Sequence, residues 1–206
     1  MNEIKNKIGI IVLAAGSSSR LGQPKQLLKF KGKTFIRRIV ESALNTNCHP
    51  VVVVVLGANF ELIKDEILDL DCEIIFNADW QTGMSSSIKN GLSKLLEIAP
   101  DITAVIISLC DQPLIRSEHF EKLIAKYFEI KKPIVASAYE AVIGVPALFS
   151  KKFFPALLNL EDDQGAKEII YKNPDEVGKI ISPELAIDVD TKEDFEKLRS
   201  TEINFS

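Results

Sequence analysis

Short apolar segments recur along the first two thirds of the chain and alternate with segments whose apolar residues follow a helical spacing. Uninterrupted apolar runs rich in Val and Ile are typical of parallel strands, because these strands are covered on both faces. Such runs predict strands at residues 8–13, 51–56, 73–76, 104–109 and 133–138. Between them, the apolar spacing predicts helices at residues 34–44, 60–70, 85–98 and 118–130.

The pattern becomes less regular after residue 138. It predicts short strands at residues 145–149, 177–181 and 186–189, and helices at residues 151–158, 165–171 and 192–198. The alternation of strands and helices is typical of an α/β fold with right-handed crossovers. We therefore expect a single domain over residues 1–206, in which a mostly parallel, twisted sheet is flanked by helices.

Composition and charge narrow the classes of partner. The chain has 29 acidic and 25 basic residues, which gives a net charge of −4, so a generally basic surface for nucleic acid is not expected. No apolar run has the length of a membrane span, and the first residues do not resemble a signal peptide. The three cysteines (Cys48, Cys72 and Cys110) lack C-x-x-C spacing. We therefore expect a cytoplasmic protein with reduced thiols and no membrane partner.

The loop after the first predicted strand has the clearest chemical character. Residues 13–25 read L-A-A-G-S-S-S-R-L-G-Q-P-K. The two glycines are one residue too far apart for a Walker A loop, and Ser18 occupies the second glycine position of the dinucleotide fingerprint. Small residues nevertheless let backbone N–H groups approach an anion, and Arg20 and Lys25 can bind phosphate oxygens. A tight turn carrying two solvated cations is the alternative.

A second polar segment precedes the predicted helix at residues 85–98. In open α/β sheets, ligands bind at the carboxyl ends of the strands, so loops at these positions are candidate binding sites. Here Gly83 and Ser86 belong to a Gly-x-Ser-Ser stretch that offers free N–H groups and hydroxyls at a helix start. Simple N-capping by serine would account for the same residues.

Two aspartates follow predicted strands, and the position of the first makes it a candidate metal ligand. Asp111 comes directly after the strand at residues 104–109, where a carboxylate can hold a magnesium ion, although an Asx-turn before a proline is the alternative. Asp190 follows a late predicted strand. A variant capping box explains the neighbouring Thr191 and Asp194 but not Asp190 itself.

These motifs resemble a known family. The segment L-A-A-G-x-S-x-R-x-G-x-P-K-x-L-L resembles the signature of nucleotidyltransferases with a glycosyltransferase-A-like, Rossmann-type fold. More narrowly, the chain resembles the molybdenum cofactor cytidylyltransferases over residues 8–199. That closer likeness rests on N-x-x-W-x-x-G-M-x-S-S at 77–87, D-Q-P at 111–113, G-x-P-x-L-F at 144–149, D-x-G-A-K at 163–167 and D-V-D-T at 188–191. Residues 139–143 depart from the pattern, since many relatives carry a basic, polar run there.

The resemblance assigns roles to individual residues. It implies a nucleotide-binding half at about residues 1–115 and an acceptor-binding half at about 116–206. Catalytic roles fall on Arg20, Lys25 and Asp111, and magnesium is implied at Asp111 and Asp190. Nucleotide binding is implied for Leu13, Ala14, Ala15, Gly16, Arg20, Lys25, Asn77, Asp79, Gly83, Met84 and Ser86. Acceptor binding is implied for Gly144, Pro146, Asp163, Gly165 and Lys167.

The implied reaction is transfer of CMP from CTP to the terminal phosphate of the molybdopterin form of the molybdenum cofactor, with Mg²⁺ as cofactor and pyrophosphate as leaving group. Ala15 stands where guanylyl-transferring relatives carry glycine, which favours CTP. A molybdoenzyme or its chaperone is a further implied partner. The alternatives are GTP as donor, a sugar or polyol phosphate as acceptor, and a nucleotide-binding accessory module without turnover. A nicotinamide-dependent oxidoreductase is disfavoured by the failed dinucleotide fingerprint.

Overall fold

The computed structural model describes residues 7–18, 21–140, 142–186, 189 and 191–203. Its strands in chain order are β1 (Ile8–Ala14), β2 (Lys29–Phe30), β3 (Lys33–Thr34), β4 (Val51–Leu56), β5 (Glu73–Phe76), β6 (Ala104–Leu109), β7 (Ile134–Tyr139), β8 (Val142–Ser150) and β9 (Val177–Ile181). Its α-helices are α1 (Phe35–Leu44), α2 (Phe60–Lys64), α3 (Met84–Ile98), α4 (Ser117–Ile130), α5 (Phe154–Leu158), α6 (Ala166–Lys172) and α7 (Lys192–Ile203).

Seven of the strands form one sheet in the order β5-β4-β1-β6-β8-β7-β9. β1 pairs in parallel with both β4 and β6, and β4 pairs in parallel with β5. β8 is antiparallel to both of its neighbours, whereas β7 and β9 are parallel to each other. The predicted mostly parallel sheet flanked by helices is therefore confirmed.

Both faces of the sheet are covered by helices. Alternate residues of β1 enter two separate apolar clusters, with Ile10 and Val12 in one and Ile11 and Leu13 in the other. The first cluster includes side chains of α1 and α4, and the second includes side chains of α3, α5 and α6. This two-sided burial explains why β1 is apolar at every position, since neither face meets water.

The second predicted helix is shorter than its apolar spacing indicated. It was expected over residues 60–70, but α2 ends at Lys64. The N–H groups of Glu66, Ile67 and Leu70 donate to carbonyls three residues earlier, so tight turns replace the α-helical pattern. Ile67 is still fully buried, which accounts for the apolar spacing in the absence of a helix.

Three other elements differ from the prediction. The strand expected at residues 145–149 extends over Val142–Ser150 and runs antiparallel. A small hairpin of β2 and β3, which turns at Lys31 and Gly32 with positive φ at both, was not predicted. The strand expected at residues 186–189 does not begin at residue 186, because Pro183–Ala186 form a 3-10 helix. Residues 187 and 188 of that expected strand lie outside the described residues.

In the described part of the chain, no helix has the length and apolar character required to cross a membrane.

Helix α3 is seated on the sheet through close packing at Gly9. A Cβ placed on Gly9 would lie 2.3 Å from Cδ2 of Leu95, which is fully buried. We expect Leu95→Ala to lower the free energy of unfolding by about 2–5 kcal/mol, because it leaves a cavity against β1. Urea denaturation measures the change in the free energy of unfolding. Leu62→Ala serves as the control and should change this free energy by less than about 0.5 kcal/mol, because the Leu62 side chain is 61% exposed. Equal effects of the two substitutions would contradict the packing described here.

Candidate functional site

The principal cleft lies at the carboxyl ends of β1 and β6. It encloses about 350 Å³. Three segments line it: the loop after β1, the segment that leads into α3, and the end of β6. The lining residues are Leu13, Ala14, Ala15, Gly16, Ser17, Lys25, Gln26, Trp80, Gln81, Gly83, Met84, Ser87, Leu109, Cys110 and Asp111.

A buried glutamine holds the loop after β1 in shape. The Nε2 atom of Gln26 donates to the carbonyl oxygens of Ala14 and Gly16, at 2.8 Å each. Its Oε1 accepts from the hydroxyl of Ser18 at 3.3 Å, and that hydroxyl accepts from the Lys25 N–H at 3.0 Å. Because two carbonyl oxygens are engaged in this way, they do not oppose an anion that approaches the loop. Sequence analysis missed Gln26, and its place beside Lys25 was the only available signal.

The loop after β4 packs against Ala15 and Trp80, both of which line the cleft. The N–H of Ala58 donates to the carbonyl of Ala15 at 2.9 Å. A Cβ on Gly57 would lie 2.6 Å from Cβ of Trp80 and 2.8 Å from the Ala15 carbonyl oxygen. Glycine is therefore required for Trp80, the only tryptophan of the chain, to approach this loop.

Asn77, Asp79 and Ser86 do not belong to the cleft lining. Asn77 is fully buried, and its Nδ2 donates to the hydroxyls of Ser86 and Ser87 at 2.9 and 3.0 Å. Its Oδ1 accepts from the N–H of Asp79 and from Asn90, at 3.0 and 2.9 Å. The amide thus links the segment before α3 to the helix itself. These contacts position Gly83 and Met84 in the cleft. Direct nucleotide contact by Asn77, Asp79 and Ser86 stays a prediction.

An ion pair joins two predicted catalytic residues that are 86 positions apart in the sequence. Nζ of Lys25 lies 2.6 Å from Oδ2 of Asp111, and each side chain is 18% exposed. The other carboxylate oxygen, Oδ1 of Asp111, is buried and has no hydrogen-bond partner among the residues that the structure describes. A buried acceptor without a donor is costly, so this carboxylate is suited to bind an additional cation.

Asp190, the other predicted metal ligand, lies outside the described residues, as does the predicted phosphate ligand Arg20. The chain beside Asp190 does reach the cleft, since the N–H of Val189 donates to the Asp111 carbonyl at 3.3 Å. Within the described ranges, no group of three or more His, Cys, Asp or Glu residues is arranged to hold a metal. One carboxylate still suits Mg²⁺, which commonly takes its remaining ligands from water and substrate phosphates.

Cys110 lines the cleft beside Asp111 but is not suited to nucleophilic catalysis. Burial raises the pKa of its thiol, and the negative charge of Asp111 raises it further. The attacking form of cysteine is the thiolate, which is scarce when the pKa is high. Cys110 is therefore a buried side chain that belongs to the apolar core next to Asp111.

A second pocket of about 290 Å³ adjoins the cleft and shares Met84 and Leu109 with it. Four of the five predicted acceptor residues line it, namely Gly144, Asp163, Gly165 and Lys167. The fifth, Pro146, is buried in β8 outside this lining and follows a cis peptide bond. Gln112, which sequence analysis did not assign, also lines the pocket.

Gly83 brings the two pockets together. Its φ is +115°, and a Cβ there would lie 2.5 Å from Oδ1 of Asp163 and 2.7 Å from the Asp162 carbonyl oxygen. The hydroxyl of Ser85 also donates to that carbonyl. The loop before α6 therefore packs directly on the start of α3, and glycine is needed at the contact.

Comparison with known proteins places the chain in a sequence family. Residues 10–177 match the family model of the MobA-like NTP transferase domain. The chain is 29% identical over 173 residues to nicotine blue oxidoreductase of Paenarthrobacter nicotinovorans, covering 80% of this chain and 81% of that protein. It is 27% identical over 199 residues to purine catabolism protein PucB of Bacillus subtilis, covering 92% and 94%. It is 24% identical over 199 residues to molybdenum cofactor cytidylyltransferase of Escherichia coli, covering 95% and 98%.

Solved structures agree with the fold. The homologue of Rv0371c from Mycobacterium sp. strain JC1 is 29% identical and superposes with a TM-score of 0.82, covering 97% of this chain and 98% of that one. Rv0371c of Mycobacterium tuberculosis, solved as a complex with manganese, is 23% identical with a TM-score of 0.78, covering 95% and 99%. The predicted fold class is therefore confirmed.

Removal of the Gln26 amide tests the loop geometry. We expect Gln26→Ala to lower the free energy of unfolding by about 1–3 kcal/mol, because it leaves the buried Ala14 carbonyl unpaired. Emission from Trp80, recorded during urea denaturation, measures this change. Gln23→Ala, at an exposed glutamine in the same loop, serves as the control and should change it by less than about 0.5 kcal/mol. If both variants unfolded at the wild-type urea midpoint, Gln26 would not hold the loop.

Proposed function

The chain belongs to the MobA-like NTP transferase family, and from this membership we propose that it transfers CMP from CTP to the terminal phosphate of a molybdopterin-type cofactor. The products are the cytosine dinucleotide form of the cofactor and pyrophosphate. The observation that carries the proposal is the Lys25–Asp111 pair, which faces a cleft lined by the small residues that follow β1. This arrangement provides a cation for phosphate oxygens and a carboxylate for a metal ion in one cavity.

Catalysis in this proposal rests on positioning and charge. The acceptor phosphate attacks the α-phosphorus of CTP in line with the departing pyrophosphate, and no covalent enzyme intermediate is formed. Lys25 and Arg20 hold the β- and γ-phosphates, and Asp111 and Asp190 hold Mg²⁺. When bound, Mg²⁺ neutralises charge on the reacting phosphates. The orphaned Oδ1 of Asp111 supports a metal at this position, as does the manganese complex of Rv0371c.

The preference for CTP is attributed to Ala15. Its side chain lines the cleft, and its carbonyl is held by the N–H of Ala58 at 2.9 Å. The methyl group narrows the space for the base compared with glycine, which favours a pyrimidine. One methyl group discriminates by about 1–3 kcal/mol, so CTP should be preferred over GTP without excluding it completely.

The acceptor is assigned to the second pocket. This pocket shares Met84 and Leu109 with the cleft, so its occupant would lie next to the nucleotide. Lys167 contributes a positive charge and Tyr139 contributes an aromatic side chain. A molybdoenzyme or its chaperone would then receive the product. The proposal places the reaction in the cytoplasm, where the free thiols of all three cysteines would remain reduced.

A pyrophosphate-release assay tests the donor and the acceptor together. Each of the four nucleoside triphosphates is incubated with Mg²⁺ and either molybdopterin cofactor, a sugar phosphate or a polyol phosphate. We expect release with CTP and molybdopterin cofactor, and about 5–150-fold slower release with GTP, in line with discrimination by one methyl group. Pyrophosphate release with a sugar or polyol phosphate but not with molybdopterin cofactor would overturn the acceptor assignment. If the protein bound CTP but released no pyrophosphate with any of the acceptors, it would be an accessory module.

Substitution of the ion pair tests the assigned roles. We expect Lys25→Ala and Asp111→Asn each to lower kcat by about 100-fold, because each removes about 3 kcal/mol of charge stabilisation in the transition state. The pyrophosphate assay measures the rates, and circular dichroism verifies that both variants stay folded. Lys29→Ala removes an exposed lysine of β2 and should keep the wild-type rate. Near-normal turnover of Asp111→Asn with Mg²⁺ would show that the metal assignment is wrong.

A further inference from the structure

In the cleft, Lys25 is paired with the carboxylate of Asp111, which is the group to which the metal is assigned. Nζ of Lys25 is 2.6 Å from Oδ2 of Asp111, and both side chains are largely enclosed. An ammonium group and a divalent cation repel each other, and the repulsion increases where water is partly excluded. A metal at the unpartnered Oδ1 of Asp111 would share one carboxylate with this ammonium group, so their repulsion would weaken its binding in this conformation.

We propose that Lys25 keeps the metal site at Asp111 closed until a nucleoside triphosphate binds, so that metal and nucleotide are bound interdependently. The proposal rests on the proposed function, because it concerns the same cleft. The triphosphate draws the ammonium group of Lys25 away from the carboxylate, and Asp111 then becomes available to the metal. Lys25 in this view is a positioning residue for metal binding as well as a phosphate ligand.

The backbone around Lys25 is fixed, so the exchange requires movement of the side chain only. The Lys25 N–H donates to the hydroxyl of Ser18 at 3.0 Å, and the adjacent Gln26 is buried and hydrogen-bonded to the loop. Lysine carries its charge on a flexible stem of about four carbons, which permits the ammonium group to change partner. Both Lys25 and Asp111 line the cleft, so phosphates that enter it come close to both groups.

Asp111, in contrast, is held in place. The N–H of the preceding Cys110 donates to the carbonyl of Leu13 at 3.2 Å, and the Asp111 carbonyl accepts from the N–H of Val189 at 3.3 Å. These two contacts fix the backbone on either side of the carboxylate group. The carboxylate therefore remains at the cleft while Lys25 moves.

The exchange keeps the charges of Lys25 and Asp111 compensated. Before nucleotide binding, the ammonium group of Lys25 and the carboxylate of Asp111 neutralise each other. Afterwards the ammonium group pairs with phosphate and the carboxylate pairs with the metal. A partly buried charge without a partner is strongly unfavourable, so a route in which the pair breaks before a new partner arrives is disfavoured. By linkage, the nucleotide and the metal strengthen each other's binding by the same factor.

The test uses Mn²⁺ as the probe, with free Mn²⁺ measured by electron paramagnetic resonance. Wild-type protein, Lys25→Met and Lys29→Met are titrated without nucleotide and with the non-hydrolysable α,β-methylene analogue of CTP. Lys29→Met changes the net charge by the same amount as Lys25→Met but at an exposed lysine. Without nucleotide, we expect Lys25→Met to bind Mn²⁺ at least about tenfold more tightly than wild type, and Lys29→Met to bind as wild type does.

The analogue should remove most of this difference. With it bound, wild-type protein should bind Mn²⁺ about as tightly as Lys25→Met does. Addition of Asp111→Asn to Lys25→Met should abolish the tight site, which would locate the metal at Asp111. Equal or weaker Mn²⁺ binding by Lys25→Met, or a gain of the same size in Lys29→Met, would overturn the proposal. If Lys25→Met did not fold, Lys25→Gln would be titrated in the same way.

The titrations separate this inference from the proposed function. Pyrophosphate release from CTP together with unchanged Mn²⁺ binding by Lys25→Met would reject only the role of Lys25 in closing the metal site. The absence of release from any nucleotide would reject the proposed reaction. In that case the Mn²⁺ titration without nucleotide would still report whether Lys25 competes for Asp111.

Discussion

Every side chain of β1 is buried, and both of its edges are hydrogen-bonded to parallel neighbours. This constraint determines where chemistry can occur, because a strand with no exposed face or edge can present groups only at its ends. β4 and β6 run in the same direction, so the loops after all three strands come to one edge of the sheet. The Lys25–Asp111 pair depends on this arrangement, since one residue follows β1 and the other follows β6.

The cleft is shaped mainly by contacts to the backbone. Gln26 engages two carbonyls of the first loop, and Ala58 engages a third. Glycine at positions 57 and 83 lets neighbouring segments approach more closely than a Cβ would permit. The side chains of Lys25 and Asp111 are not among these contacts, although their backbone groups are hydrogen-bonded to Ser18 and Val189. A net charge of −4 is compatible with phosphate binding under these conditions, because only a few placed groups meet the phosphates.

The sequence predicted the central strands to within a residue or two because two-sided burial leaves a simple pattern, an unbroken apolar run. It overestimated the second helix because successive tight turns at Glu66 and Leu70 bury the same apolar positions that a helix would. It did not identify Gln26, whose role depends on two backbone carbonyls that no side-chain pattern reveals. Of the residues predicted in the first loop, Arg20 lies outside the described residues, and the others line the cavity, namely Leu13, Ala14, Ala15, Gly16 and Lys25. The amide of Asn77, however, is hydrogen-bonded to groups of the protein itself. Spacing in the sequence does not distinguish such a residue from one that lines the cleft.

The second pocket is built from a different part of the fold than the cleft. The cleft lies at the ends of central strands, where changes in the backbone would disturb the core. The second pocket is lined mainly by β8, by the loop before α6 and by the first residues of α6. Residues 139–143, which depart from the expected basic run, include Tyr139 and Val142 of this lining. Substitution there would change the lining of the second pocket without touching the Lys25–Asp111 pair, because neither residue of the pair lines that pocket. The fold can therefore vary this pocket while the ends of β1 and β6 keep the pair in place.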